Sequence, residues 1–311
     1  MNKRKGLRVF APATVANVAV GYDVLGFALD KPGDELVVRE GSKPGLVIKS
    51  IHGNSGLSKE IHKNTAGYAA FRLMESLGYE KEAVEIELYK KMGIGTGLGS
   101  SAASAVAGVF AVNEFFGRPY SKDQLLRFAT DAEQIADGSW HADNVAPSLL
   151  GSIILIRDNA SMDYVKLPVP EGLRVVILYP KISVLTKKSR AILKQEISLD
   201  LHIKQSANLG AFVAALYKSD LALMSRSLTD HIIEPQRAGL IPQFAALKAL
   251  AMESHALACS ISGAGPSIFA LTDNTVKADN ILNVWTRFMS DKAMDFDVFI
   301  SKINTEGAKV F

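Results

Sequence analysis

Between positions 93 and 104 the chain reads GIGTGLGSSAAS, where residue type and spacing come closest to dictating chemistry. Glycine at 93, 95, 97 and 99 lets the backbone approach a ligand closely and adopt left-handed conformations. The next residues, Ser100, Ser101, Ala102 and Ala103, open a helix whose first N–H groups have no intrahelical partner. Such an end attracts anions, phosphate above all. A lone glycine turn usually does no more than let a helix pack closely. Four glycines feeding a serine-capped helix point instead to phosphate. Two familiar phosphate loops do not fit. A Walker A loop requires Gly-Lys ahead of Ser or Thr, and none of the 24 glycines is followed by lysine. A dinucleotide fingerprint starting at Gly95 would require glycine where Ser100 stands.

A loop of this kind needs a strand to deliver it and a helix to receive it. Upstream, AVEIELYKKM alternates cleanly: Val84, Ile86 and Leu88 face one side, Glu85, Glu87 and Tyr89 the other, as in a half-buried strand. Downstream, SSAASAVAGVFAVNEFF reads as a helix rich in small residues. Further strands are expected over 7–13, 35–40 and 45–50, separated by KPGD and SKPG. Helices are expected over 64–77, capped by Asn64 or Thr65 and ended by Gly78, and from Ser121 to near Gly138. Gln124 gives the second of these a capping-box spacing. A strand over 152–158 closes this half, and the polar, proline-marked stretch 157–172 reads as a linker. Beyond it come a buried strand over 173–180 and helical patterns at 187–194, 203–217, 219–227 and 242–254. LACSIS and SIFALT are strands flanking a second glycine turn at 263–266. A helix near 275–290 and a strand over 297–301 close the chain. Strands and helices mix in both halves, so two α/β or α+β layers are expected.

Composition sets the outer bounds. At 311 residues the chain can bury a sizeable core as one large domain or two ordinary ones. Apolar residues make up 48% and charged residues 22%, which excludes a disordered chain and a coiled coil. The net charge of +3 (35 basic against 32 acidic) does not argue for nucleic acid, which calls for a densely basic face. Cys259 is the only cysteine, so there is no intramolecular disulfide and no cysteine-based zinc cluster; this fits a reducing cytosol. The basic residues at the amino terminus are followed by too short an apolar stretch for a signal peptide. The uncharged run 92–113 spends its first half on loop glycines and serines, and its remainder is too short to cross a bilayer. A soluble, cytoplasmic protein is expected, with no membrane and no nucleic-acid partner.

The string GTGLGSSAASA resembles the phosphate loop of the GHMP kinases, the superfamily of galactokinase, homoserine kinase, mevalonate kinase and phosphomevalonate kinase. Two further family segments occur in the family order. APATVANVAVGYDVLGFALD, at 11–30, resembles the first motif, and SISGAGPSIFALT, at 260–272, resembles the third. Within the superfamily the finer resemblance is to the homoserine kinases, through NVAVGYDVLGFAL, DGSWHADNVAPSLLGS, LTKKSRAIL and HIIEPQRAGLIP. The family loop usually opens with proline where Gly93 stands. The family also often has serine at Val15, and Leu-Gly-Pro in place of Val18, Ala19 and Val20.

The resemblance implies an α+β, two-domain GHMP-kinase-like fold. An N-terminal, ribosomal-protein-like domain over 1–165 would hold a left-handed β-α-β unit and the phosphate loop; a ferredoxin-like C-terminal domain would span 166–311. It implies transfer of phosphate from ATP to L-homoserine, a step toward threonine, with Mg2+ as cofactor and a homodimer as the assembly. Nucleotide would be bound by Gly93, Ile94, Gly95, Thr96, Gly97, Leu98, Gly99, Ser100, Ser101, Ala102 and Ala103. Asn64 would sit near the adenine, though an N-cap explains it as well. Arg190 and Arg237 would clamp the substrate carboxylate, since a guanidinium offers two parallel donors. Asn17 would hold a hydroxyl and Asp23 the ammonium, with turn chemistry as the alternative. Asn144 would contact the substrate hydroxyl, and Ser101 and Glu133 would hold the metal, with Asp131 and Asp137 near the latter. Asp143 is offered as the catalytic proton acceptor, with His141, Asp23 and a phosphate oxygen as rivals. Another small-molecule kinase of the mevalonate type, or a non-catalytic ATP-binding protein, remains open.

Overall fold

The computed structural model describes residues 6–53, 56–138 and 140–311, and only the backbone course of 135–137. The Asp137 side chain, Ser139 and the basic residues up to Lys5 therefore lie outside the described residues. The first half runs β1 (Leu7–Ala16), β2 (Leu25–Glu40), β3 (Leu46–His52), α1 (Thr65–Ser76), β4 (Val84–Tyr89), α2 (Ser100–Phe115), α3 (Lys122–Asp137), α4 (Val145–Leu150), β5 (Ile153–Asp158) and β6 (Asp163–Leu167). The second runs β7 (Arg174–Pro180), α5 (Thr186–Ala191), α6 (Leu199–Lys218), α7 (Leu221–Ser227), α8 (Glu234–Arg237), α9 (Phe244–Glu253), β8 (Ala258–Ile261), β9 (Ile268–Thr272), α10 (Thr275–Asp291), β10 (Phe296–Ser301) and β11 (Lys309–Val310).

Among the described residues the strands form two sheets. One has the order β11-β1-β2-β4-β3, with β5 paired to β2 and β6 to β5. Its parallel pair, β3 and β4, is joined through α1 and makes the expected β-α-β unit. The other has the order β10-β7-β9-β8, every pair antiparallel. Together with α9 and α10 this is the ferredoxin-like arrangement, its first crossover enlarged by α5–α8. Strand alternation divides β7 between two cores. Val175 and Ile177 join the main core under α1–α4, whereas Val176 and Leu178 pack toward Leu247 and Trp285 of α9 and α10.

Helix α2 is apolar on every side because it runs through the main core. Its small residues serve that position. A Cβ on Gly108 would overlap the Ala66 carbonyl, so α1 crosses α2 at backbone contact. The capping box on α3 forms as its sequence predicts, Ser121 accepting from the Gln124 N–H.

One expectation is corrected. The stretch 157–172 is not a linker: it contains β6, paired antiparallel to β5 from Ile153↔Leu167 to Asp158↔Asp163. Leu167 is buried, and Lys166 reaches the carbonyls of Leu150 and Thr305. Pro168 and Pro170 lie beyond the end of the strand. Pro147 lies in the first turn of α4, where its missing N–H costs nothing.

Candidate active site

A cavity of about 730 Å3 opens where the two sheets meet, lined by residues of both halves. The glycine loop forms one wall. Gly95, Gly97 and Gly99 have φ of 70°, 77° and 63°, so every second residue of the loop is left-handed. At Gly97 there is also no room: a Cβ would lie 2.6 Å from the Ser262 carbonyl oxygen and 2.7 Å from that of Gly265. The Ser262 hydroxyl donates to the Gly97 carbonyl at 2.6 Å, and the Ser267 N–H to that of Thr96 at 3.1 Å. The second glycine turn is thus bonded to the first.

The helix behind the loop is not serine-capped, as its sequence had suggested. Its N-cap is Gly99, which has no side chain to offer, and Ser100 turns its hydroxyl to the Lys90 ammonium 2.7 Å away. The first-turn N–H groups are left for a ligand, and an anion is the natural one. Leu98, Ala102 and Ala103 send their side chains into the core, so only their main chain can serve a nucleotide. Gly93 stands at the loop entry, outside the cavity wall, which begins at Ile94.

Lys90 was not singled out from the sequence. Its side chain is 2% exposed and pairs with the fully buried Asp34 of β2. It also donates to the Ser100 carbonyl at 2.8 Å and to the Ser104 hydroxyl at 2.7 Å. The ammonium therefore ties β2 and β4 to the first turn of α2, directly behind the loop.

Beside the second glycine turn two guanidinium groups converge on the same cavity. Arg190, on α5, holds Asp23 through two parallel bonds of 2.8 Å and donates to the Tyr22 phenol at 2.9 Å. Its Nε is buried without a hydrogen-bond partner among the described residues. Arg237, on α8, is 3% exposed. It donates to the carbonyls of Ser189 (3.2 Å) and Gly263 (3.0 Å) and to the same phenol at 3.5 Å. All three acceptors are uncharged, whereas Arg190 has the Asp23 carboxylate as a direct partner. Burial works against the charge of both arginines. At Arg190 the Asp23 carboxylate more than offsets it and holds the pKa above its ordinary value; at Arg237 burial wins and the pKa is lowered. Burial, with Asp23 alongside, raises the Tyr22 phenol despite both guanidinium groups.

Asp23 sits on a strained loop. Asn17, Val18, Ala19 and Asp23 all have positive φ, including Ala19, where the family pattern has glycine. The Asn17 amide braces this loop: Nδ2 donates to the Gly263 carbonyl at 2.9 Å and Oδ1 accepts from the Asp23 N–H at 3.1 Å. From α6, Gln205 donates to the Val20 carbonyl and to Asp230, which in turn accepts the N–H groups of Ile232, Ile233 and Glu234 ahead of Arg237.

Asp143 and Asn144 also line the cavity, in the turn that enters α4. Asp143 is 5% exposed and near enough to Arg190 to add to the stabilisation of its charge. Asn144 accepts a 2.6 Å bond from the Thr14 hydroxyl. His141 Nε2 lies 3.4 Å from Asp23. Ser101, on α2, and Glu133, on α3, both face the cavity beside the loop. Asn64 also lines it and caps α1, its Oδ1 accepting from the Gly67 N–H and its Nδ2 donating to the Ser58 carbonyl. Thr14, Tyr22, Lys90 and Gln205 are the participants the sequence did not single out. Only Tyr22, inside the GYD of the first motif, carried a signal that could have revealed it.

Comparison with known proteins agrees with this geometry. Residues 64–152 match the GHMP kinases N terminal domain and residues 212–291 the GHMP kinases C terminal domain. The chain is 40% identical to the homoserine kinase of Chlorobium phaeovibrioides over 98% of its own length and 99% of the relative's. It superposes on the crystal structure of homoserine kinase from Cytophaga hutchinsonii with a TM-score of 0.96, at 46% identity and covering 100% of this chain and 98% of that one. A crystal structure of mevalonate kinase shares the fold at a TM-score of 0.73 and 17% identity, covering 96% of this chain and 100% of that one. A glycine loop locked between two lobes, with paired arginines lining the same cavity, accompanies full-length similarity of this degree: the chain belongs to the homoserine kinase family of the GHMP kinases.

Proposed function

We propose that this ATP-dependent small-molecule kinase transfers the γ-phosphoryl group of ATP to the side-chain hydroxyl of L-homoserine, with both substrates in the one cavity. The observation that carries this reading is the convergence of Arg190 and Arg237 on Tyr22, beside Asp23, in the cavity that the phosphate loop also lines. An amino acid brings one carboxylate and one ammonium. Arg237, whose own hydrogen-bond acceptors are all uncharged, suits the first with Arg190 beside it, and Asp23 suits the second. Asn17 keeps Asp23 in place. The triphosphate lies along the main-chain N–H groups from Gly95 to Ala103, where the helix end and the loop favour anionic oxygens.

The donors present fit Mg2+. Ser101 and Glu133 offer hard oxygens on the cavity wall, and among the described residues no trio of His, Cys, Asp or Glu gathers to enclose an ion. So sparse a set suits a cation that keeps its waters and takes its remaining ligands from phosphate. When bound there, the ion neutralises charge on the phosphate oxygens. Phosphoryl transfer asks mainly for positioning and charge neutralisation, and the residues are assigned accordingly. Arg190, Arg237 and Asp23 orient the acceptor, Asn144 holds its hydroxyl, and Asp143 takes the proton. Asn64 borders the adenine end. The domain division expected at 165/166 moves to the end of β6, since that strand belongs to the first sheet, and β11 returns to the same sheet. A homodimer in the cytoplasm completes the proposal: the resemblance supports the dimer, the lone buried Cys259 supports a reducing compartment, and among the described residues no helix is long and apolar enough to cross a membrane.

The test is ADP release with ATP and a panel of hydroxyl acceptors. L-homoserine is expected to support turnover, and mevalonate, which lacks the ammonium, is not. Failure of homoserine alongside turnover of another hydroxy acid, or ATP binding with transfer to no acceptor, would overturn the proposal.

A further inference from the structure

The Asn144 amide can present either of two ends to the cavity, and the two do different chemistry. Its oxygen would accept the proton of a hydroxyl, whereas its NH2 would donate to an oxygen lone pair. The contacts around Asn144 decide between them. Thr14, in β1, is fully buried, and its hydroxyl donates to Asn144 Oδ1 at 2.6 Å. A β-branched side chain inside a strand has little χ1 freedom, so that hydroxyl is held in place. Gly99 closes off the same spot: a Cβ there would overlap the Thr14 hydroxyl and lie 2.8 Å from Asn144 Oδ1. Asn144 stands at the N-cap of α4 but makes no side-chain bond to that helix. Its amide oxygen is thus committed to Thr14, and the NH2 end is the one left for a ligand. Thr14 also donates its main-chain N–H to the Leu98 carbonyl at 3.1 Å. One residue therefore fixes both the phosphate loop and the group facing the acceptor.

We infer that Thr14 is a positioning residue for phosphoryl transfer. It turns the Asn144 NH2 toward the acceptor hydroxyl and sets that amide's distance from the phosphate loop. The inference rests on the proposed reading of the cavity. In the step it serves, the acceptor oxygen forms its bond to the γ-phosphorus as the bond to the β,γ-bridging oxygen breaks. ADP leaves with that electron pair, and the hydroxyl proton passes to the Asp143 carboxylate. Asn144 donates to the attacking oxygen and takes no proton. Without the Thr14 hydroxyl the amide is free to turn over, and the acceptor loses alignment rather than affinity.

The experiment compares Thr14→Val, Thr14→Ser and Asn144→Ala, and the double variant Thr14→Val/Asn144→Ala, with the unaltered enzyme. It records kcat, both KM values and folding by circular dichroism. Misalignment of reacting groups by about 1 Å costs on the order of a hundredfold in rate. Thr14→Val is therefore expected to lower kcat by roughly ten- to a hundredfold with KM for ATP within about twofold. Thr14→Ser keeps the hydroxyl and is expected to stay near the unaltered rate. In the Asn144→Ala background the valine change should cost little more. Thr14→Ala, which removes the hydroxyl without adding bulk, carries the same expectation and decides the matter if the valine variant does not fold. Full kcat in Thr14→Val or Thr14→Ala, a serine variant no better than valine, or an undiminished effect when Asn144 is already alanine would each overturn the inference. An unaltered enzyme that gives no turnover with homoserine would instead overturn the reading of the cavity, and the role of Thr14 with it.

Discussion

Tyr22 places its phenolic oxygen 2.9 Å from one guanidinium group and 3.5 Å from the other. Two cations this close repel, and a shared acceptor between them offsets part of that cost. Both also lie over its ring, at 5.6 and 5.1 Å from the centroid. The phenol has to stay neutral to do this without closing the site to a carboxylate. Burial, then Asp23, favours the neutral form and raises its pKa, against the pull of the two arginines. A phenol whose folded pKa is raised contributes stability below the ordinary tyrosine pKa of about 10, and that contribution is lost as pH rises through the folded value. A difference ultraviolet titration between the unaltered protein and Tyr22→Phe should show one phenol ionising above pH ~10; ionisation at or below it would contradict this account. The sequence led to the expectation of the arginines as a carboxylate clamp and of Asp23 as the partner of an ammonium group. What the sequence hid is that Asp23 and Arg190 hold each other, because the loop after β1 and helix α5 meet only in the folded chain.

At the scale of elements, the phosphate loop stays in place because β2, β4 and α2 are tied by one buried ion pair. Lys90 and Asp34 are 2% and 0% exposed, and each is saturated by hydrogen bonds: Lys90 to Ser100 and Ser104, Asp34 from Ser104 and the Lys91 N–H. Breaking such a pair from one side strands a buried charge and costs about 3–5 kcal/mol, whereas replacing both partners by apolar groups is often nearly neutral. In urea titrations Lys90→Met is expected to lower the unfolding free energy by that order, and Lys90→Met/Asp34→Leu to recover most of the loss. A Lys90→Met protein as stable as the original would refute the tie. Elements whose own periodicity specified them were readable, notably β4, α3 and the twin strands around 263–266. Those that depended on partners were not. The long β2 gets past the turn-like KPGD by a bulge: residues 29–32 leave the β1 ladder, which resumes at Gly33↔Pro12 with Gly33 lying against the Phe10 ring. Likewise β6 exists because β5 offers it an edge and Leu167 a place in the core.

For the whole molecule, the decisive contact is the one between the two glycine turns. Gly97 bonds to Ser262, Thr96 to Ser267, and Ala16 to Gly263, so the nucleotide wall is shared by both lobes. Gly97→Ala forces a left-handed alanine, worth roughly 1–2 kcal/mol, and puts a methyl group 2.6 Å from the Ser262 carbonyl oxygen. KM for ATP is expected to rise at least about tenfold while far-ultraviolet circular dichroism stays unchanged; an unaltered KM would show that the turns need not touch. The residues expected to meet an amino acid came from the family resemblance, but the amino-acid sequence by itself determined a glycine loop suited to phosphate and a mixture of strands and helices in both halves. Each of these is written in local spacing, which survives without the fold. Only the tertiary structure decided which polar groups answer one another: Asp23 with Arg190, Thr14 with Asn144, Lys90 with Asp34. Such pairings join residues dozens to well over a hundred positions apart, and no local pattern records a distance that folding alone creates.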